Sequence, residues 1–141
     1  MELNDEIAAA ASRAAAMFES RNGTELELTE ASLIQIEELL AEAADYADGM
    51  SSDQIDRLAQ DFGCYILEVG RREFGGRYLW HNDRDQPVLV VGEPNYRIAM
   101  IAWDKVRGRI GGDEGDNIPF FYAGFAARAR KALPGDDALY V

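Results

Sequence analysis

At the paired glycines Gly75-Gly76 the spacing of apolar residues changes from about four to two, and it does so once along the chain. A chain patterned this way folds as helices followed by a sheet, so the class is α+β. Upstream, Ile7, Ala10, Ala11, Ala14, Met17 and Phe18 recur at helical spacing from a cap at Asn4 or Asp5 until Asn22-Gly23. A second helix begins at Thr29, places Leu33, Ile36, Leu40, Ala43 and Ala47 on one face, and ends at Asp48-Gly49. The third opens on the capping box Ser51-Ser52-Asp53-Gln54 and runs through Ile55, Leu58, Phe62, Tyr65, Ile66 and Val69 to Phe74. Its length makes it the central element.

Beyond the glycines, residues 77–81, 87–91 and 96–101 alternate as three strands separated by hairpin-sized loops, which predicts an antiparallel meander. Val88 through Val91 is apolar on both faces and suits a middle strand. A short helix over 102–110, the acidic glycine loop 111–117 and a last helix carrying Ile118, Phe121, Tyr122, Phe125, Ala129 and Leu133 follow. The expected architecture is one domain over 1–141. Residues 1–50 form an acidic helical hairpin, and 51–141 form a helix, a three-stranded antiparallel sheet and two C-terminal helices, about five helices in all. The third and last helices cover one sheet face.

Charge is distributed as unevenly as hydropathy. Residues 1–63 hold fifteen Asp and Glu against Arg13, Arg21 and Arg57, and this half accounts for the whole net charge of −12. Phosphate contacts supply most nucleic-acid affinity, and a field of this sign repels phosphate, so a nucleic-acid partner is excluded. No apolar run reaches the eighteen or so residues of a membrane span, and the acidic N-terminus lacks the basic residues of a signal peptide. One cysteine, Cys64, forms no internal disulfide and fits a reducing cytoplasm.

Catalytic constellations are scarce. His81 is the one histidine, so a nucleophile–base–orienter triad has one candidate base, and a packed or surface role is the simpler reading. One His and one Cys do not make a zinc site, and no glycine-rich phosphate loop occurs, so neither a metal nor a cofactor is expected. The loop 111–117 gathers oxygen ligands but lacks EF-hand order and reads as a solvated turn capping the last helix. Glu68, followed by Arg71 and Arg72 on the third helix, is the one acid–base candidate; with Trp80 it defines a possible pocket, against a structural ion pair. Trp80 is either core or part of an open aromatic patch. Gly63 and Gly70, seven residues apart, share a helix face and read as packing devices.

The stretch Gly63-Cys-Tyr-Ile-Leu-Glu-Val69, with Gly75, Gly76 and Trp80, resembles an uncharacterised bacterial small-domain family with a G-x-Y-x-x-E-V…G-G-x-W pattern. Pro87-Val88, Pro94, the segment 105–110 and Phe120-Phe121-Tyr122 fit the same resemblance, which spans about residues 55–130. It assigns no catalytic residue. Some members are immunity-protein-like, which implies a protein partner.

On the second helix, Glu38, Glu42 and Asp45 fall on the side opposite the apolar face, with Ile34 among them. Ile34 either packs on the first helix or is an apolar anchor in an acidic rim. The expected function is a non-catalytic acidic binding module for a basic protein partner; the alternative is a small enzyme using Glu68.

Overall fold

The computed structural model describes residues 2–141, and within them the chain is an α+β fold of five α-helices and one four-stranded sheet. Helix α1 spans Leu3–Asn22, α2 Leu33–Ala44 and α3 Ser52–Phe74. Strands β1 (Arg77–His81), β2 (Gln86–Val91) and β3 (Arg97–Met100) follow, then α4 (Trp103–Ile110), α5 (Ile118–Lys131) and β4 (Asp137–Tyr140).

Local chemistry explains the boundaries. Ser51 Oγ accepts the Gln54 amide at 3.2 Å while Gln54 Oε1 accepts the Ser51 amide at 2.8 Å, the expected capping box of α3. Thr29 makes the same reciprocal box with Ser32, but across a short 3-10 turn, Glu30–Ser32, that leads into α2. Asn117 caps α5 by accepting the Phe120 amide at 3.0 Å. The N-cap of α1 is Glu2, two or three residues earlier than the Asn4 or Asp5 expected.

The three-strand expectation is corrected to four. β1, β2 and β3 form the antiparallel meander, and β4 adds beside β3 in parallel, pairing Arg97 with Asp137 through Met100 with Tyr140. Helices α4 and α5 form the crossover that a parallel neighbour needs. The strand escaped detection because it is four residues long and begins on an aspartate, although Ala138 and Tyr140 do alternate inward. It makes β3 an interior strand alongside β2, all six of whose residues are buried.

The helices pack on the sheet face carrying Tyr78, Leu89, Val91, Ile98 and Met100, while Val88, Val90, Ala99 and Ile101 form a small cluster with Leu79 on the other. Helix α3 touches α1, α4, α5 and the sheet. α1 lies along α3, and α2 seats on α4 and α5, so the two N-terminal helices pack chiefly on other elements instead of forming a self-contained hairpin. Glu37 locks α2 in place: its carboxylate accepts Arg109 Nε at 2.7 Å and the Ile118 amide at 3.0 Å, joining α2, α4 and α5. Buried Gln86 does similar work from β2, accepting the Trp103 amide at 3.1 Å at the start of α4.

Both packing glycines sit at close approaches, of different stiffness. A Cβ on Gly63 would lie 2.5 Å from Trp103 Cδ1 and 3.1 Å from Trp103 Cα, whereas at Gly70 the nearest atoms are the side-chain ends of Met100 and Leu89 at 2.6 and 2.9 Å. Gly→Ala in a helix gains about 1 kcal/mol of propensity, and overpacking costs about 1–3 kcal/mol. Gly63→Ala, pressed on backbone, is therefore expected to destabilise by about 1–2 kcal/mol, and Gly70→Ala to stay within about 1 kcal/mol of the parent. Urea denaturation of the two variants checks the order; equal stability would show that the α3–α4 contact yields as easily as the side chains do.

Candidate functional site

Helix α2 buries Leu33, Ile36, Leu39 and Leu40 and turns Glu38, Glu42 and Asp45 to solvent, as its periodicity dictates. Ile34 stands among these carboxylates at 57% exposure, so it does not pack on α1. Phe120, in the first turn of α5, is 78% exposed and lies two residues from the amide that Glu37 holds. Among the described residues, no Lys or Arg nitrogen comes within 4.0 Å of Glu38, Glu42, Asp45 or Asp48. The last turn of α2 has no basic residue either. Carboxylates at a helix C-terminus oppose the negative end of its dipole, so this end of α2 carries the charge that local stability disfavours.

Beside the acidic face lies an apolar groove of about 320 Å³. Met17 of α1, Leu39, Ala43 and Tyr46 of α2 and its following turn, Met50, and Phe62 of α3 line it, with Arg21 and Glu42 at its rim. Tyr46 is 67% exposed. The sequence pattern placed Met17 on the core face of α1 and left Tyr46 and Met50 unassigned. Helical periodicity identifies which side of a helix is apolar, but not that α2 ends short of covering the last turns of α1. Two methionines beside an exposed tyrosine were the available signal.

Of the residues of the alternative pocket, Glu68 and Arg71 are brought together, whereas Arg72 and Trp80 line other cavities. Tyr78 donates its hydroxyl to Glu68 Oε1 at 2.6 Å, and Arg71 Nη1 stands 3.8 Å from the same oxygen with its guanidinium over the Tyr78 ring. Burial, and then the Glu68 carboxylate, push the Tyr78 phenol far above its ordinary range. Arg72 instead lines a different cavity, with Glu27 through Ala31. Trp80, 43% exposed, bonds Asp85 and meets Trp103 edge to face across 5.9 Å, lining a separate cavity with Ile7, Arg13 and Cys64. Tyr78, not Trp80, occupies the spacing that the G-G-x-W pattern prescribes.

The remaining candidates make contacts within the fold. His81 Nδ1 accepts the Arg84 amide and closes the β1–β2 turn. In the loop 111–117, Asp113 accepts the Gly115 amide, Asp116 pairs with Lys105 at 2.9 Å and Asn117 caps α5. No group of three His, Cys, Asp or Glu able to hold a metal ion occurs among the described residues. None of the helices described is long and apolar enough to cross a membrane. The chain matches no protein-family model, no curated protein and no solved structure.

Two predictions follow from these environments. Because the end of α2 carries the wrong sign for its dipole, Glu42→Lys with Asp45→Lys is expected to raise the melting temperature by about 2–5 °C, read by calorimetry at low salt; a lowered value would mean these carboxylates support the helix. Burial pushes the Cys64 thiol from 9.0 up to about 11, against the weaker opposing effect of the Trp103 indole N–H. Between those values the folded chain holds a proton that the unfolded chain has released, so stability falls as pH rises through that window. The Tyr78 and Tyr122 phenols, both raised mainly by burial, extend the fall above about pH 10. Cys64→Ala should flatten the first part of this decline in urea titrations; an unchanged slope would place its origin elsewhere.

Proposed function

We propose that the protein is a non-catalytic binding module whose α2 face captures a basic protein partner. One observation carries this reading: Glu38, Glu42, Asp45 and Asp48 stand exposed with no salt-bridge partner among the described residues, the last three around the end of a helix whose dipole disfavours them, beside an exposed Ile34. An apolar anchor ringed by charge is the common anatomy of a protein interface. The anionic face speeds encounter with a cationic surface, and the apolar contact then slows release. Glu68 has a packing role in this reading, since Tyr78 and Arg71 both engage its Oε1 and tie α3 to β1.

The test is a partner recovered from cells expressing the native gene and measured by surface plasmon resonance against the purified protein. Association is expected to slow at least about tenfold between about 0.05 and 0.5 M salt, as the Debye length shrinks from about 14 to 4 Å. Reversing Glu38, Glu42 and Asp45 to Lys should slow it further, whereas reversing Asp5, Glu6 and Glu19 on α1 should change it far less. Ile34→Ala should act on dissociation, raising the rate about tenfold. Association that ignores both salt and the α2 reversal would make this surface a solvated face only.

A further inference from the structure

The groove beside α2 narrows the class of partner. Resting on the binding reading above, we infer that the groove between α1, α2 and the start of α3 seats the apolar stripe of a basic amphipathic helix belonging to that partner. Its walls are helices, whose main-chain groups are bonded within themselves, and no strand edge lies along it. An extended segment would therefore bury main-chain donors and acceptors without partners, whereas a helix brings its own satisfied. The lining is carbon almost throughout, from Met17, Leu39, Ala43, Tyr46, Met50 and Phe62. Two of the chain's four methionines stand here, and unbranched thioethers adjust to the side chains an incoming helix presents.

Charge selects the occupant. From Asn22 to Asp56 the chain has ten Asp and Glu and no Lys or Arg, so α2 and both its flanking turns supply only negative charge to the groove's surroundings. Glu42 belongs at once to the acidic face and to the groove rim, which joins an apolar contact to a flanking carboxylate in a single site. The C-terminal turns of α1 and α2 both line the groove, so the negative ends of their dipoles add to this field, against which Arg21 sets one positive charge. A second copy of this chain would bring a net charge of −12 to the same place, and an anionic membrane would be repelled likewise. A small enclosed ligand fits less well: about 320 Å³ stands at the bottom of the roughly 300–1,000 Å³ range of such pockets, and no set of polar groups converges inside. A helix with apolar residues at i, i+3 or i+4 and i+7 and with Lys or Arg on its flanks satisfies both conditions.

The probe is a synthetic fluorescein-labelled peptide of about 16 residues, with Leu in that stripe and Lys and Ala elsewhere. Two controls accompany it: an isomer of identical composition with the stripe scrambled, and a counterpart with Glu for Lys. Anisotropy with the full chain should show the stripe peptide binding at least about tenfold more tightly than the scrambled one, with the Glu peptide unbound at ~1 mM. Ala43→Phe, which fills the groove, and Tyr46→Ala, which removes an exposed wall and threatens no core contact, should each erase that tenfold advantage at unchanged melting temperature. Equal binding of stripe and scrambled peptides, both weakened by Glu42→Lys with Asp45→Lys, would overturn the groove while leaving the acidic surface standing. Failure of both Lys peptides to bind at ~1 mM would overturn both readings. A dimer in sedimentation that Ala43→Phe dissociates would make a second copy the occupant, and binding of the Glu peptide would make charge irrelevant; either result sinks the inference.

Discussion

At Gly63 the backbone of α3 comes so near the first turn of α4 that no side chain fits between them, and most of the tertiary arrangement depends on that approach. A helix of 23 residues is about 35 Å long and spans a domain of this size, so everything else must be arranged around it. With α4 drawn in at Gly63 and the sheet at Gly70, residues Phe62 through Leu67 are buried on all sides, including the thiol of Cys64, which accepts the Trp103 indole N–H. Tyr65 is among the largest fully buried side chains, and its hydroxyl reaches the Leu28 amide and the Ser32 hydroxyl. The central helix thus fixes the loop from which α2 starts. Gly76, at φ +96° and with the Val90 carbonyl oxygen occupying the space its Cβ would need, then turns the chain directly into β1.

The same arrangement sorts the charge. Arginines of the second half reach back to carboxylates of the first: Arg109 to Glu37, Arg107 to Asp56 and Arg130 to Glu30. Of these, the Arg109–Glu37 pair is the best shielded from solvent, and its second carboxylate oxygen is satisfied by a main-chain amide. Loss of either partner would leave a buried charge unpaired, which is where ion pairs matter most. The exposed pairs contribute little individually. Their effect is to neutralise the acidic half where it touches the body of the fold, so that the uncompensated charge remains on outward positions, among them the outer face and end of α2.

How much of this was legible in the sequence follows from the kind of signal each feature leaves. Reciprocal caps name their own partners, so the α3 start at Ser51-Gln54 and the stop at Gly75 were readable, as were the β1 limits and the burial of β2 on both faces. The face of α2 was readable from angle alone, and Ile34 proved exposed. What periodicity does not carry is which neighbour an apolar face meets. α1 and α2 therefore looked like a hairpin, although each packs chiefly elsewhere, and the groove left between their ends had no signature beyond Met17, Tyr46 and Met50. β4 was too short to show alternation against two leading aspartates. Trp80 drew attention as the larger aromatic, whereas Tyr78, with its hydroxyl on Glu68, is the residue that joins β1 to α3.

An acidic C-terminus on α2 is a local conflict in a sequence whose other caps agree with their helices, and such conflicts concentrate where function sets the residue. The fold can carry this one because α2 is held from its opposite side. Leu33, Ile36 and Leu40 are fully or almost fully buried, and Glu37 ties the helix to α4 and α5 through a shielded pair. Burial of three large aliphatic side chains contributes several kcal/mol, about 1.5–3 kcal/mol each, against about 0.3–1 kcal/mol for a charge misplaced on a helix dipole. The outer face of α2 is thus free to vary in charge without loss of structure, and this freedom is what the proposed capture of a basic partner by its carboxylates and Ile34 requires.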